Sequence, residues 1–170
     1  MTEIREEQQE ECQEIRQVIV AAFGGDTEAN LVELLRDRNK APVALIAVSD
    51  NKIVGHVMFS PVTITLAPKA FRAVGLAPLS VLPEFQRQGI GSILVREGLK
   101  KCAAAGFEMA VVLGSPYYYP RFGFSRASLY GLGNEYDTDE HFMAIELKDG
   151  ALDKVSGIVR YSSEFKECGC

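Results

Sequence analysis

Gln86-Arg87-Gln88-Gly89-Ile90-Gly91, preceded by the strand-like run Leu76-Ala77-Pro78-Leu79-Ser80-Val81-Leu82, is the stretch on which the reading of this chain turns. Apolar residues recur at helical spacing after it to about Ala105, so the six residues make a strand-to-helix turn. The first turn of a helix carries N–H groups with no intrahelical acceptor, and the helix dipole adds about half a positive charge there. A phosphate or pyrophosphate is the natural occupant of such a spot. Gly89 and Gly91 have no Cβ, so an anion can come close to the main chain. The stretch therefore points to a phosphate-bearing cofactor. A glycine turn that serves structure alone is the competing reading.

Two common glycine loops do not fit. The dinucleotide fingerprint Gly-x-Gly-x-x-Gly needs a third glycine where Leu94 stands, and it belongs at a first strand rather than mid-chain. The triphosphate loop needs Gly-Lys-Ser/Thr, a tripeptide this chain lacks. What remains is Gln-x-x-Gly-x-Gly, after a strand containing Pro78 and followed by Pro83, and this resembles the acetyl-CoA loop of the GNAT superfamily of N-acetyltransferases. A second segment is similar to the family too. Gly106 stops the helix, Met109-Ala110-Val111-Val112-Leu113 reads as a buried parallel strand, and Tyr117-Tyr118-Tyr119-Pro120-Arg121-Phe122-Gly123-Phe124 follows. In the family a short helix carries a tyrosine four residues before a Gly-Phe pair, and Tyr119 holds that place. Tyr117 reads as core packing with its hydroxyl in water, and Tyr118 is left open.

The resemblance, carried by residues 76 to 124, implies one N-acetyltransferase domain over 1–170. Its fold is α/β, with a central, mostly antiparallel sheet, one bulged and splayed strand, and helices on both faces. It implies acetyl-CoA as co-substrate, with Gln86, Arg87, Gln88, Gly89, Ile90, Gly91 and Ser92 around the pyrophosphate. Leu79, Ser80 and Val81 offer backbone to the pantetheine arm. The Val81 N–H then polarises the thioester carbonyl, and Tyr119 protonates the departing thiolate. The acceptor is a primary amine on a small molecule or peptide. No metal is implied, and a homodimer stays open. For a base, His56, His141, Glu84 and a water relay are all on the table, and none is chosen. A non-catalytic acyl-CoA-binding module and a cofactor-free adaptor are the rival readings.

Composition agrees with a globular protein: 170 residues, 47% apolar, 24% charged. A formal charge of −5 argues against a nucleic-acid binder, whose footprint is basic. No run approaches the apolar length of a membrane span. The acidic, polar start from Thr2 to Gln13 is unlike a secretory signal, so a cytoplasmic setting with reduced thiols is expected. Cys12 and Cys102 read as small buried hydrophobes, and Cys168-Gly169-Cys170 is too short for a structural zinc site.

Periodicity gives the remaining elements. Ile4 to Glu6 is a short strand, and a helix from about Gln9 buries Cys12, Ile15, Val18, Ile19, Ala22 and Phe23 until Gly24-Gly25 stops it. Asp26 or Thr27 caps a second helix that buries Leu31, Leu34 and Leu35. Val43–Val48 and Ile53–Phe59 form a hairpin over Asp50-Asn51, and Thr63–Leu66 either extends it past Pro61 or stands apart. Ala73–Val81 is the key strand, interrupted in its pairing at Pro78, which has no N–H. The helix after the loop buries Leu94, Val95, Gly98, Leu99, Cys102 and Ala103, with Arg96, Glu97, Lys100 and Lys101 outward. Leu129–Glu140 reads as an acidic, glycine-rich loop, and Phe142–Leu147 and Gly157–Tyr161 as strands.

Overall fold

The computed structural model describes residues 1–153 and 155–170. Among them lie strands β1 (Thr2–Glu6), β2 (Val43–Ser49), β3 (Lys52–Ile64), β4 (Ala73–Val81), β5 (Met109–Leu113), β6 (Ser125–Arg126), β7 (Leu132–Asn134), β8 (Phe142–Glu146) and β9 (Gly157–Arg160). The helices are α1 (Cys12–Phe23), α2 (Thr27–Asp37), α3 (Ile90–Ala104) and α4 (Glu164–Glu167). Parallel and antiparallel pairs both occur, so the fold is mixed α/β, as expected. Backbone contacts group the residues into two compact units. One holds Met1–Phe59, Ala77–Gly98 and Ser163–Cys170, the other Ser60–Leu76 and Leu99–Ser162.

In the first unit β1, β2 and β3 form an antiparallel meander. Asp50 (φ 50°) and Asn51 (φ 61°) both take the left-handed backbone that a two-residue hairpin demands. β3 runs on through Pro61 to Ile64, which settles the open alternative in favour of one long strand. α1 ends at Gly24 with φ 77°. α2 buries Ala29, Leu31, Val32 and Leu35, whereas Leu34 is half-exposed because it lies one step off the apolar stripe. Cys12 is likewise half-buried, at the first turn of α1 rather than in the core. α3 packs its Gly98 directly on Phe59, where a Cβ would collide with the ring.

Helices cover both faces of this meander. A Cβ at Gly55 would lie 3.0 Å from Leu94 and 3.3 Å from Ile90, so that face meets α3. His56, the next residue, points the other way. Its Nε2 lies 2.7 Å from Glu7 Oε1, and Glu7 accepts hydrogen bonds from Arg36 of α2 at 2.6 Å (Nε) and 3.1 Å (Nη2). The short helix α4, absent from the sequence reading, is fixed by its buried Glu164, which accepts from Arg38 at 3.1 Å and Lys40 at 3.2 Å.

In the second unit β4 pairs in parallel with β5 through Ala73–Met109, Val74–Ala110 and Gly75–Val111. β8 is antiparallel to β5 and to β6, and β7 runs parallel to β9, which joins the end of β3 at Thr63–Arg160. A Cβ at Gly75 would sit 2.6 Å from the Tyr161 ring and 3.1 Å from Val62, so close packing explains this glycine. Phe23, expected inward, is 45% exposed at the last turn of α1, and three further expectations are corrected. The stretch 129–140 is not all loop, since it contains β7; Ala103 is exposed at the end of α3, outside the stripe; and β8 and β9 each end one residue early.

Two predictions follow from this packing. Adding a side chain at Gly98 gains up to ~1 kcal/mol of helix propensity for alanine but overpacks Phe59 by about 1–3 kcal/mol. Gly98→Val, with poorer propensity, should lower the unfolding free energy by the larger figure, and Phe59→Leu in the same chain should restore part of it in chemical denaturation. Burial alone would raise the Glu7 carboxyl, but the hydrogen bonds from His56 and Arg36 outweigh it and hold the group at about 2. That stabilisation is complete above the unfolded value of 4.5 and drains away as pH falls towards 2, a span of roughly 3 kcal/mol. Glu7→Gln should therefore melt earlier than the wild type at pH 7, with the gap closing between pH 4.5 and 2.

Candidate active site

Gln86 to Ser92 form the turn into α3, within the first unit. Arg87 (φ 62°) and Gly89 (φ 86°) both adopt left-handed backbone. A Cβ at Gly89 would meet nothing within 4 Å, so this glycine is required for its dihedral and leaves open space above the main chain. The sequence reading, which gave Gly89 a purely steric reason, is sharpened here. The first helical bond across the turn is Ile93 N–H to Gly89 O at 3.1 Å, so the N–H groups of Ile90 and Gly91 belong to the acceptorless first turn.

Gln86 has a function the sequence did not reveal. Its Nε2 donates to Val81 O at 3.0 Å, tying the loop to the end of β4, and Gln88 Nε2 donates to Glu84 O at 3.3 Å. The two amide side chains brace the turn from its exposed side, and Arg87 is exposed as well. Along β4, Pro78 and Ser80 are buried while Ala77, Leu79 and Val81 are half-exposed, the alternation of a strand with one open face. The Ala77–Pro78 peptide is cis. Ser80 is 1% exposed, and its Oγ has no hydrogen-bond partner among the described residues.

The second unit contains the tyrosine segment. Parallel pairing of β4 with β5 stops at Gly75–Val111 although β4 itself continues to Val81 and β5 to Leu113. Tyr119 opens a 3-10 turn, Tyr119–Phe122, that closes on Gly123 at φ 104°. This explains the glycine of the Gly-Phe pair. The Tyr119 ring lies against Gly114, where any Cβ would strike it, and meets Tyr118 edge-on at 5.1 Å and Phe124 at 5.8 Å. Burial, with a smaller contribution from Tyr118, pushes its phenol up to about 12. Tyr117, expected to pack, is instead 86% exposed. Tyr118 is half-buried beneath the Arg121 guanidinium at 4.5 Å.

The base candidates separate clearly. His141 Nδ1 lies 3.3 Å from Gly114 O while Gly114 N–H donates to His141 O, a reciprocal structural pair at the start of β8. Glu84 is exposed, and its carbonyl accepts from Gln88. His56 is fully buried with Glu7 behind it. Among the described residues no group of His, Cys, Asp and Glu could hold a metal ion, and no helix is long and apolar enough to cross a membrane. A cavity of about 570 Å³ at the starts of β4 and β5 is lined by Phe71, Arg72, Glu108 and Lys148. Of its lining carboxylates, Glu108 is already engaged, by the Arg72 backbone N–H at 3.2 Å and Lys148 at 3.6 Å.

Known proteins with this arrangement are similar along most of the chain. The N-acetyltransferase YhbS of Escherichia coli K12 is 36% identical over 146 residues, covering 85% of this chain and 86% of its own. The crystal structure of E. coli YhbS, in complex with CoA, superposes with a TM-score of 0.91 at 34% identity, over 97% of this chain and 92% of that one. A GNAT family acetyltransferase from Brucella melitensis, crystallised with acetyl-CoA, gives 0.80 at 36% identity over 97% and 98%. Residues 3–127 match the family model described as the acetyltransferase (GNAT) domain. With a loop, a β4–β5 pairing and a tyrosine turn of this form, and with that match across most of its length, the chain belongs to the GNAT acetyltransferase family.

Proposed function

We propose that this protein is an N-acetyltransferase that takes the acetyl group of acetyl-CoA and passes it directly to a primary amine of a small molecule or peptide. The observation that carries this reading is the 86–91 turn, whose two left-handed residues precede the acceptorless first turn of α3 beneath open space. CoA and acetyl-CoA in the crystals of two relatives support it.

In this reading the N–H groups from Gln88 to Ser92 hold the pyrophosphate, with Arg87 adding positive charge at the rim. The backbone of Leu79, Ser80 and Val81 holds the pantetheine amides. Acetyl-CoA supplies an activated thioester. The chain aligns the amine with the carbonyl carbon, an effect that reaches about 7–11 kcal/mol when both reactants are held in attack geometry. Val81 N–H donates to the carbonyl oxygen as it gains charge, and losing such a donor typically costs roughly 2.7–4 kcal/mol. Tyr119 donates to the sulfur as the C–S bond breaks. Its raised phenol keeps the proton throughout the neutral range, so the hydrogen bond is in place before charge develops. A cytoplasmic setting suits the four free cysteines, and a homodimer, which light scattering would detect, belongs to the same reading.

Acetyl-CoA at 100 times its dissociation constant should stabilise the protein by ~2.7 kcal/mol, raising Tm by about 5–10 °C. Gly91→Asp, which sets a carboxylate against the pyrophosphate, should remove that shift. Stabilisation without CoA release from a panel of spermidine, Nα-acetyl-lysine and an alanine-ended peptide would identify a binding module, and no shift at millimolar acetyl-CoA would defeat the reading altogether. Tyr119→Phe should lower turnover roughly 10- to 1000-fold with little change in the acetyl-CoA shift. Because the Tyr119 phenol deprotonates only near 12, the wild-type rate should show no alkaline fall from this group below about pH 11.

A further inference from the structure

His56 and Ser80 face each other within the first unit. Leu82 N–H donates to Val54 O at 2.9 Å, and a Cβ at Gly55 would lie 3.2 Å from Ser80 O, so β3 and β4 run in opposite directions with 54 opposite 82 and 56 opposite 80. Side chains directly opposite in such a pair share one face, with Cβ atoms about 4.5–5.5 Å apart. His56 is 0% and Ser80 1% exposed. Both keep a buried polar atom, Nδ1 and Oγ, that has no hydrogen-bond partner among the described residues.

The other side of the imidazole is fully committed. Glu7 is held ionised between His56 and Arg36, so it accepts only, and His56 Nε2 must carry the hydrogen of that 2.7 Å bond. In the neutral ring Nδ1 is then a bare acceptor pointed away from the carboxylate. The charged groups around this ring are few. Arg36 neutralises Glu7 from α2, Glu11 acts on Glu7 but is itself paired to Arg5 at 2.6 Å, Cys12 acts on Arg36 from α1, and the β2 residue opposite His56 is Ile46. Oγ and Nδ1 are not hydrogen-bonded to each other, and two unsatisfied buried polar groups on one face are each destabilising. A core selected for stability alone would hold aliphatic side chains at both positions. Ser80 also lies in the β4 stretch assigned above to the co-substrate, between half-exposed Leu79 and Val81.

We propose that Ser80, His56 and Glu7 form a proton path that deprotonates the acceptor ammonium, which rests on the N-acetyltransferase reading. One N–H bond of the ammonium breaks as its proton bonds to Ser80 Oγ. A rotation of the Ser80 side chain brings Oγ to His56 Nδ1, the original Oγ–H bond breaks as that proton bonds to Nδ1, and the freed amine keeps its electron pair for attack. The imidazolium so formed lies against the Glu7 carboxylate, which Arg36 keeps from taking the proton. Reversal of the path returns the proton to solvent after each turnover. Ser80 is the residue that meets the substrate, and His56 and Glu7 are positioning residues that act through it.

The test is the pH dependence of CoA release from acetyl-CoA, with whichever of spermidine, Nα-acetyl-lysine or the alanine-ended peptide the wild type turns over fastest. Ser80→Ala and His56→Gln should each lower kcat/KM for the amine about 100-fold at pH 7 but less than 10-fold near pH 10, where the amine is already neutral. KM for acetyl-CoA should not move, the double variant should be no slower than either single one, and Ser80→Thr should recover most of the rate. A loss equal at every pH, or additive in the double variant, would overturn the path. If His56→Gln does not fold, Ser80→Ala alone decides. Nitrogen-15 NMR of the histidine rings gives a separate reading when no amine is turned over, a result that would defeat the transferase reading itself. Hydrogen on Nε2 and an Nδ1 resonance that shifts in Ser80→Ala uphold the path. Hydrogen on Nδ1, or no shift, refutes it.

Discussion

A helix that begins directly after a strand carries donors it cannot satisfy by itself, and the 86–92 segment is organised around that constraint. Left-handed backbone at Arg87 and Gly89 swings the chain from the end of β4 into α3 within a few residues. The side chains that brace the turn bond to carbonyl groups, Val81 and Glu84, and leave N–H groups for something else. The Gln86 N–H is spent on Pro83 O, which leaves the donors at the start of α3 as the ones the fold does not use. Such donors at a helix start are what an anion-binding turn requires.

The same division appears beneath the sheet. Both Glu7 carboxylate oxygens are engaged, by Arg36 and His56, and the charge of Glu7 is set by these two partners rather than by solvent. Removing one member of such a network leaves a buried charge uncompensated, which is far more destabilising than removing an exposed pair. Against this well-satisfied background the bare atoms of His56 and Ser80 stand out.

Much of this was legible in the sequence, for identifiable reasons. The bounds of β4 and β5 were read correctly because glycine, proline and an apolar run punctuate both, and Asp50-Asn51 announced its hairpin through two residues that tolerate left-handed backbone. The turn and Tyr119 were located because their signals are local. What escaped depends on partners distant in the chain. β6 and β7 are only two and three residues long and exist because β8 and β9 pair with them, so no periodicity could show. α4 is one turn held by cations that follow α2, Arg38 and Lys40. Tyr117 and Ala103 were placed inward by composition and pattern, although backbone direction carries both into solvent. The alignment of His56 with Ser80 requires the β3–β4 register, which no window of sequence contains.

The clasp on Glu164 has a consequence for the order of folding. Arg38 and Lys40 bond a carboxylate that lies 126 and 124 positions further on. The contact forms only once a late segment folds back on an early one, so the first unit gains this ion cluster through a long-range closure whose loop entropy must be met before the attraction is felt.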